Sequence, residues 1–295
     1  MGDRNPVEMF FKLTSGIGVD IFFFLSAYSL AGRDYSDYVG FLRSRFINVY
    51  LKYLLLAVIA AVVVGWKLKL FLKVVTGIDL FDRGGGAFLW FLPAIMILYI
   101  LFPWFQKADE KNRAITLGVI FLVWCSVAFV CTQFKSAHHI FIFWNRVPVF
   151  LLGYYSARLS IMDKVFDDTK LRLLLGIVFT VVGYWLIYQF GYHTKLHIPF
   201  RDMFYIIYIP ASVGLILLVG MVPEFKVIKW IGSSTLEMYG VQMIFGYSFA
   251  NKVLNATGSK GITNLLTCLY VIIIAVIARV IYDVIKNKLS GGVKK

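Results

Sequence analysis

Residues 84–106, 114–134, 173–194 and 203–223 contain no Asp, Glu, Lys or Arg. A helix needs about 20 predominantly apolar residues to cross the hydrocarbon core of a bilayer, and each of these runs is long enough. Residues 261–278 are equally clean, and that span extends to about Asp283. Four further segments read as spans that carry a charge: 16–31 with Asp20, 47–66 with Lys52, 140–158 with Arg146, and 231–251 with Glu237. The expected fold is therefore all-α, a polytopic membrane helix bundle of about nine transmembrane helices. The connecting loops are short, so residues 1–295 read as a single transmembrane domain without a separate soluble one.

Composition agrees with the spans. The chain is 60% hydrophobic and 16% charged, where soluble domains run near 45–50% and about 25%. A net charge of +14 would point to nucleic acid if the cations shared a face. Here they are scattered through short gaps between apolar runs, which excludes that partner and leaves the lipid bilayer. Cys125, Cys131 and Cys268 lie inside apolar segments without metal-ligand spacing, and read as free, buried thiols packing as small hydrophobes. The gap 67–83 mixes Trp66, Leu68, Phe71 and Leu72 with Lys67, Lys69 and Lys73. Two readings stay open for it: a segment lying in the membrane interface, or a basic loop. Gly84-Gly85-Gly86 lacks the Gly-Lys-Ser/Thr ending of a phosphate loop and reads as a flexible helix start.

The bias of Lys and Arg sets orientation. Placing the loop with Arg33, Arg43 and Arg45 in the cytoplasm also puts Lys107, Arg158, Lys229 and Lys286 there, and gives that side most of the loop cations. Met1 then falls outside with nothing ahead of the first span to carry it across, so a further helix upstream is expected.

Two adjoining stretches carry a resemblance: Gly18-Val19-Asp20-Ile21-Phe22-Phe23-Phe24-Leu25-Ser26-Ala27, then Phe41-Leu42-Arg43-Ser44-Arg45-Phe46-Ile47-Asn48-Val49-Tyr50. Together they resemble the acyltransferase-3 family of bacterial integral-membrane O-acyltransferases, in which such a helix leads into an Arg-rich turn. Trp90-Phe91-Leu92-Pro93-Ala94, Arg146-Val147-Pro148 through Gly153, and Ile231-Gly232 with Ser234 through Tyr239 are similar to its later helices, in order. The resemblance runs from about residue 10 to 250. It implies ten helices, of which this chain lacks the first. It also implies transfer of an acyl group, usually acetyl, from cytoplasmic acyl-CoA (acetyl-CoA) to a hydroxyl on a surface polysaccharide or lipid-linked glycan. The implied location is a bacterial inner membrane, and no metal is implied.

Acyl transfer from a thioester needs a base for the hydroxyl proton, worth about 10²–10⁴ in rate, and a grip on the CoA phosphates. The family's base is a first-helix His preceded by an Arg, and neither position exists here, so no catalytic residue is assigned. His138, His139, His193 and His197 fall in loops or at span ends. They read as interfacial, with a substitute base or acceptor-binding role as the alternative. Cofactor binding falls to Arg43 and Arg45, because guanidinium groups hold phosphate bidentately; ordinary topology determinants are the competing reading. Asn48 stands where the family usually has another Arg, keeping hydrogen bonds and losing charge.

Charges within spans usually face a partner or a cavity. Asp20 and Arg146 are expected to pair or to line the acceptor side. Glu237 follows Ser234 at capping-box spacing, or else enters a central cavity. Tyr239 and Gln242 occupy the family's "YLVH" segment, where an amide replaces a second His. Trp90 stacks on a sugar or adenine, or joins an interfacial belt. Arg279 is expected to snorkel. Two competing functions remain: a catalytically silent relative that binds or moves a glycan or acyl carrier, and a polytopic transporter. Inverted repeats would mark the second, and the sequence displays none.

Overall fold

The computed structural model describes residues 16–134, 137–190, 206–223 and 225–291, and every regular element among them is helical. Five helices are long and apolar enough to cross a membrane: Tyr38–Val64, Phe91–Lys111, Arg113–Gln133, Thr169–Tyr188 and Lys260–Val284. The other four expected spans are built from shorter pieces. Ile17–Tyr28 and Tyr208–Val219 have 12 residues each. The segment 140–158 breaks at Asn145-Arg146 into Phe141–Trp144 and Val147–Arg158. The segment 231–251 breaks at Ser233-Ser234, between Lys226–Gly232 and Thr235–Val241. Polar residues stand at both interruptions; at the second, Ser233 Oγ donates to the Trp230 carbonyl, a local bond that competes with helix hydrogen bonds.

The described chain divides into two compact units. Of the described residues, one holds those within 16–41, 81–85 and 97–223; the other those within 42–80, 86–96 and 225–291.

In the first unit, Ile17–Tyr28 packs against Val147–Arg158 and Tyr208–Val219, and Tyr208–Val219 lies along Thr169–Tyr188. Lipid tails are as apolar as Leu, so membrane helices associate through close packing at small residues. Gly153 does this against the backbone of Phe24, where a Cβ would strike the Phe24 carbonyl oxygen. Gly183 meets the Ala211 backbone in the same way. The helices also start on capped turns: Asn112 accepts from Ile115 N–H at 3.1 Å, and Asp168 from Lys170 and Leu171 N–H at 3.0 Å. Arg113–Gln133 buries only 11% of its most apolar window, so lipid is its main surrounding.

In the second unit, Tyr38–Val64 is continuous and contains a π-helical turn, Phe46–Tyr50. Gly65 ends it in the left-handed region (φ +72°), which glycine adopts without a Cβ penalty. Leu68–Val75 follows as a helix, so the basic-loop reading of this segment gives way. Leu68 and Leu72 are exposed, while Val74 is buried. The hydroxyl groups of Tyr50 and Tyr53 anchor its end by donating to the carbonyls of Val75 and Val74. The long C-terminal helix, Lys260–Gly291, packs on Thr235–Val241 and Tyr247–Thr257, with Phe249 stacked on Tyr270 at 4.1 Å.

Several expectations change. Arg43 and Arg45 stand on a helix, Tyr38–Arg45, and not in a turn. Gly84–Gly86 forms a 3-10 turn, with Gly84 at φ +53° close to the His139 backbone. Of the three thiols only Cys131 is buried; Cys268 is exposed on its helix. His193 and His197 lie outside the described residues.

Candidate active site

The first unit holds a buried ion pair. Asp20 falls on the face of its helix that also buries Ile17, Phe23, Phe24 and Ala27, a spacing set by the 3.6-residue period. Arg146 caps the start of Val147–Arg158. Its Nε lies 3.0 Å from Asp20 Oδ1, with both side chains 2% exposed, and Nη1 donates to the Ile142 carbonyl at 3.2 Å. A cation at a helix N-terminus opposes the macrodipole; the Asp20 carboxylate offsets both that and the desolvation. These two sequence-selected residues are thus brought together.

A second acid in the same unit escaped the sequence reading. Asp109 sits in a charged stretch that resembles a loop, yet its side chain is fully buried. It accepts from Tyr154 Oη at 3.1 Å and from Tyr155 Oη, and Arg113 Nε stands 3.7 Å away. The nearby Arg158 pairs with Glu110 at 3.4 Å. An open cavity of about 640 Å³ is lined there by Arg33, Tyr38, Trp104, Gln106, Lys107 and Arg158, among others.

The second unit holds Arg43, Arg45, Asn48 and Glu237, and a lysine stands against each of the last two. Arg43 is exposed and Arg45 half-buried. Asn48 Nδ2 donates to the Ser44 carbonyl at 2.8 Å. Its Oδ1 accepts from Lys286 Nζ at 2.6 Å, so a cation from the C-terminal helix stands beside the Asn48 amide. Tyr282 Oη donates to the Ile47 carbonyl, inside the π-helical turn, at 2.6 Å. One helical turn beyond Asn48, Lys52 Nζ lies 2.5 Å from Glu237 Oε1 and 4.8 Å from the centre of the Tyr282 ring.

The expected capping box is therefore corrected. Ser234 makes no side-chain cap, and Glu237 is buried against Lys52. The pull of an opposite charge in an apolar setting outweighs a local backbone contact. A signal for the pairing was present: lone opposite charges in two otherwise apolar spans.

The remaining selected residues are dispersed within this unit. Trp90 is 5% exposed and meets Phe91 edge-on, which removes it from a surface belt. Tyr239 is half-buried, its ring 5.0 Å from Phe91. Gln242 is exposed and opens the π-helical turn Gln242–Gly246. Arg279 bonds the Trp230 carbonyl at 3.2 Å and lies 3.6 Å from Asp283. In the first unit, His138 and His139 form a 3-10 turn, with His138 edge-on to Phe141. Among the described residues, no three His, Cys, Asp or Glu side chains converge to hold a metal ion.

Five membrane-length helices together with charges paired inside apolar surroundings define a multi-pass membrane protein built around buried polar centres. The chain belongs to the acyltransferase-3 family: the family model described as an acyltransferase domain matches residues 2–283, nearly its whole length. It is thus a membrane acyltransferase of the O-acyl-transfer type. No curated protein and no solved structure matches it.

Proposed function

We propose that this acyltransferase moves an acyl group, acetyl in the first instance, from acyl-CoA on the cytoplasmic side of a bacterial inner membrane. The acceptor is a hydroxyl of a cell-surface polysaccharide or lipid-linked glycan. The observation that carries the reading is the family match over residues 2–283. The cations of the second unit support it: Arg43 and Arg45 on one helix, and Lys286 bonded to Asn48 on the same continuous helix.

In the reaction the acceptor oxygen attacks the thioester carbonyl carbon. A C–O bond forms, the C–S bond breaks, and the hydroxyl proton ends on the departing CoA sulfur. Arg43, Arg45 and Lys286 hold the CoA phosphates by charge-assisted hydrogen bonds. Within the second unit, Tyr239 and the exposed Gln242 are offered to the acceptor. The buried pairs keep polar groups at fixed positions within apolar helices.

The test is acetyl transfer from radiolabelled acetyl-CoA by membranes containing the chain, against an Arg43→Ala/Arg45→Ala control. Label in the glycan or lipid-linked fraction above that control is expected. No difference between the two would overturn the enzymatic reading and favour a silent, glycan-binding relative.

A further inference from the structure

The Lys52–Glu237 pair borders a cavity that the reaction above leaves unused. Its volume is about 130 Å³, and its other walls are Leu55, Leu56, Ile59, Ala278, Ile281 and Tyr282. Glu237 is 3% exposed. Its Oε1 takes the lysine, while the equally buried Oε2 accepts no hydrogen bond. Tyr282 cannot supply one, because its hydroxyl is committed to the Ile47 carbonyl. A carboxylate oxygen held away from water without a donor is left at a desolvation cost, so the site is in want of a donor.

Three features narrow what the donor belongs to. First, a second cation is not required, since Lys52 already balances the charge. Second, water is a poor tenant: a buried water takes two to four polar partners, and polar groups stand only at the Lys52–Glu237 end. Third, the mouth is lipid-facing. Ile59 and Ile281 are 40% and 56% exposed, on the helices Tyr38–Val64 and Lys260–Val284, whose most apolar stretches have mean hydropathies of 2.3 and 2.5. A ligand entering there arrives from the bilayer with an apolar stem.

We propose that this pocket binds the hydroxyl end of a bilayer-dissolved amphiphile. The O–H donates to Glu237 Oε2, and the stem lies along Leu55, Ile59, Ala278 and Ile281. Resting on the acyl-transfer reading, this makes the acceptor a lipid-borne alcohol that enters sideways from the membrane; the binding itself needs no acyl donor.

The experiment uses the purified full chain in lipid nanodiscs with a diazirine-bearing fatty alcohol, light-activated and mapped by peptide mass spectrometry. Adducts are expected within residues 51–64 and 260–284. Excess 1-dodecanol should lower them at least about fivefold, and dodecane less than about twofold. Lys52→Met/Glu237→Met removes the acceptor oxygen without stranding a charge, and should abolish the difference between alcohol and alkane. Ile59→Trp narrows the mouth from a lipid-facing position and should cut labelling even if the double variant fails to fold. Adducts spread equally over Arg113–Gln133, or equal competition by dodecane, would overturn the proposal. Alcohol binding without acetyl transfer would retain the pocket and sink the enzymatic reading; transfer without such binding would do the reverse.

Discussion

Removing one partner of the Asp20–Arg146 pair should be among the most damaging polar substitutions in the chain. Asp20→Asn keeps the side chain's size and leaves the Arg146 guanidinium 1% exposed, with the Ile142 carbonyl as a neutral neighbour. Breaking a buried ion pair in this way costs about 3–5 kcal/mol, against a total stability of roughly 5–15 kcal/mol. Arg146→Gln strands the carboxylate at similar cost. In Asp20→Asn/Arg146→Gln no charge is left to desolvate, so the double variant should recover about 2 kcal/mol or more of the summed single losses. Cys131, 1% exposed, provides the reporter: in a Cys125→Ala/Cys268→Ala background, a thiol-reactive dye registers unfolding of the detergent-solubilised protein. Each single variant should lower Tm by something on the order of 10 °C, and the double should sit well above the additive value. Additive losses would refute the reasoning, because they would mean that the two charges do not sense each other despite their 3.0 Å separation.

Two further outcomes follow from contacts within one unit. Gly153→Ala drives a methyl into the Phe24 backbone and should cost about 1–3 kcal/mol by overpacking. Gly118→Ala meets nothing within 4 Å and should hold or raise Tm, gaining up to about 1 kcal/mol of stability from helix propensity; equal melting shifts would contradict the packing assignment. If Lys286 supplies the charge that Asn48 lacks, Lys286→Ala should raise KM for acetyl-CoA roughly threefold to tenfold with little change in kcat. Asn48→Arg in that background should restore KM, and an unchanged KM in Lys286→Ala would remove the lysine from the donor site.

Much of the architecture was legible because lipid enforces it. A backbone without water must bond to itself, so charge-free stretches such as 114–133 and 173–188 became helices with little dependence on their neighbours. The interrupted spans were less legible. The helices break at Asn145-Arg146 and Ser233-Ser234, where polar residues stand, while hydropathy averages across them. The π-helical turn at Phe46–Tyr50 was likewise hidden, since no local pattern marks it and its Ile47 carbonyl is met by Tyr282 from the far end of the chain.

For the site, the residue types were visible and most partners were not. Asp20 and Arg146 announce themselves as expensive charges in apolar spans, and the cost of burying a charge makes a partner almost obligatory. Glu237 announced itself equally well. Capping by Ser234 accounted for it locally, and the lone charges of two apolar spans hinted at a partner without fixing it as Lys52, 185 positions away. The same holds for Asp109 against Tyr154 and Tyr155, and for Lys286 against Asn48. By itself, then, the sequence determined the class of molecule, the family and the list of charges that lipid would not tolerate alone. The tertiary structure decided which charge neutralises which, because pairing depends on distances of about 3 Å between helices far apart in the chain. It also decided where one carboxylate oxygen, Glu237 Oε2, is left for a ligand to meet.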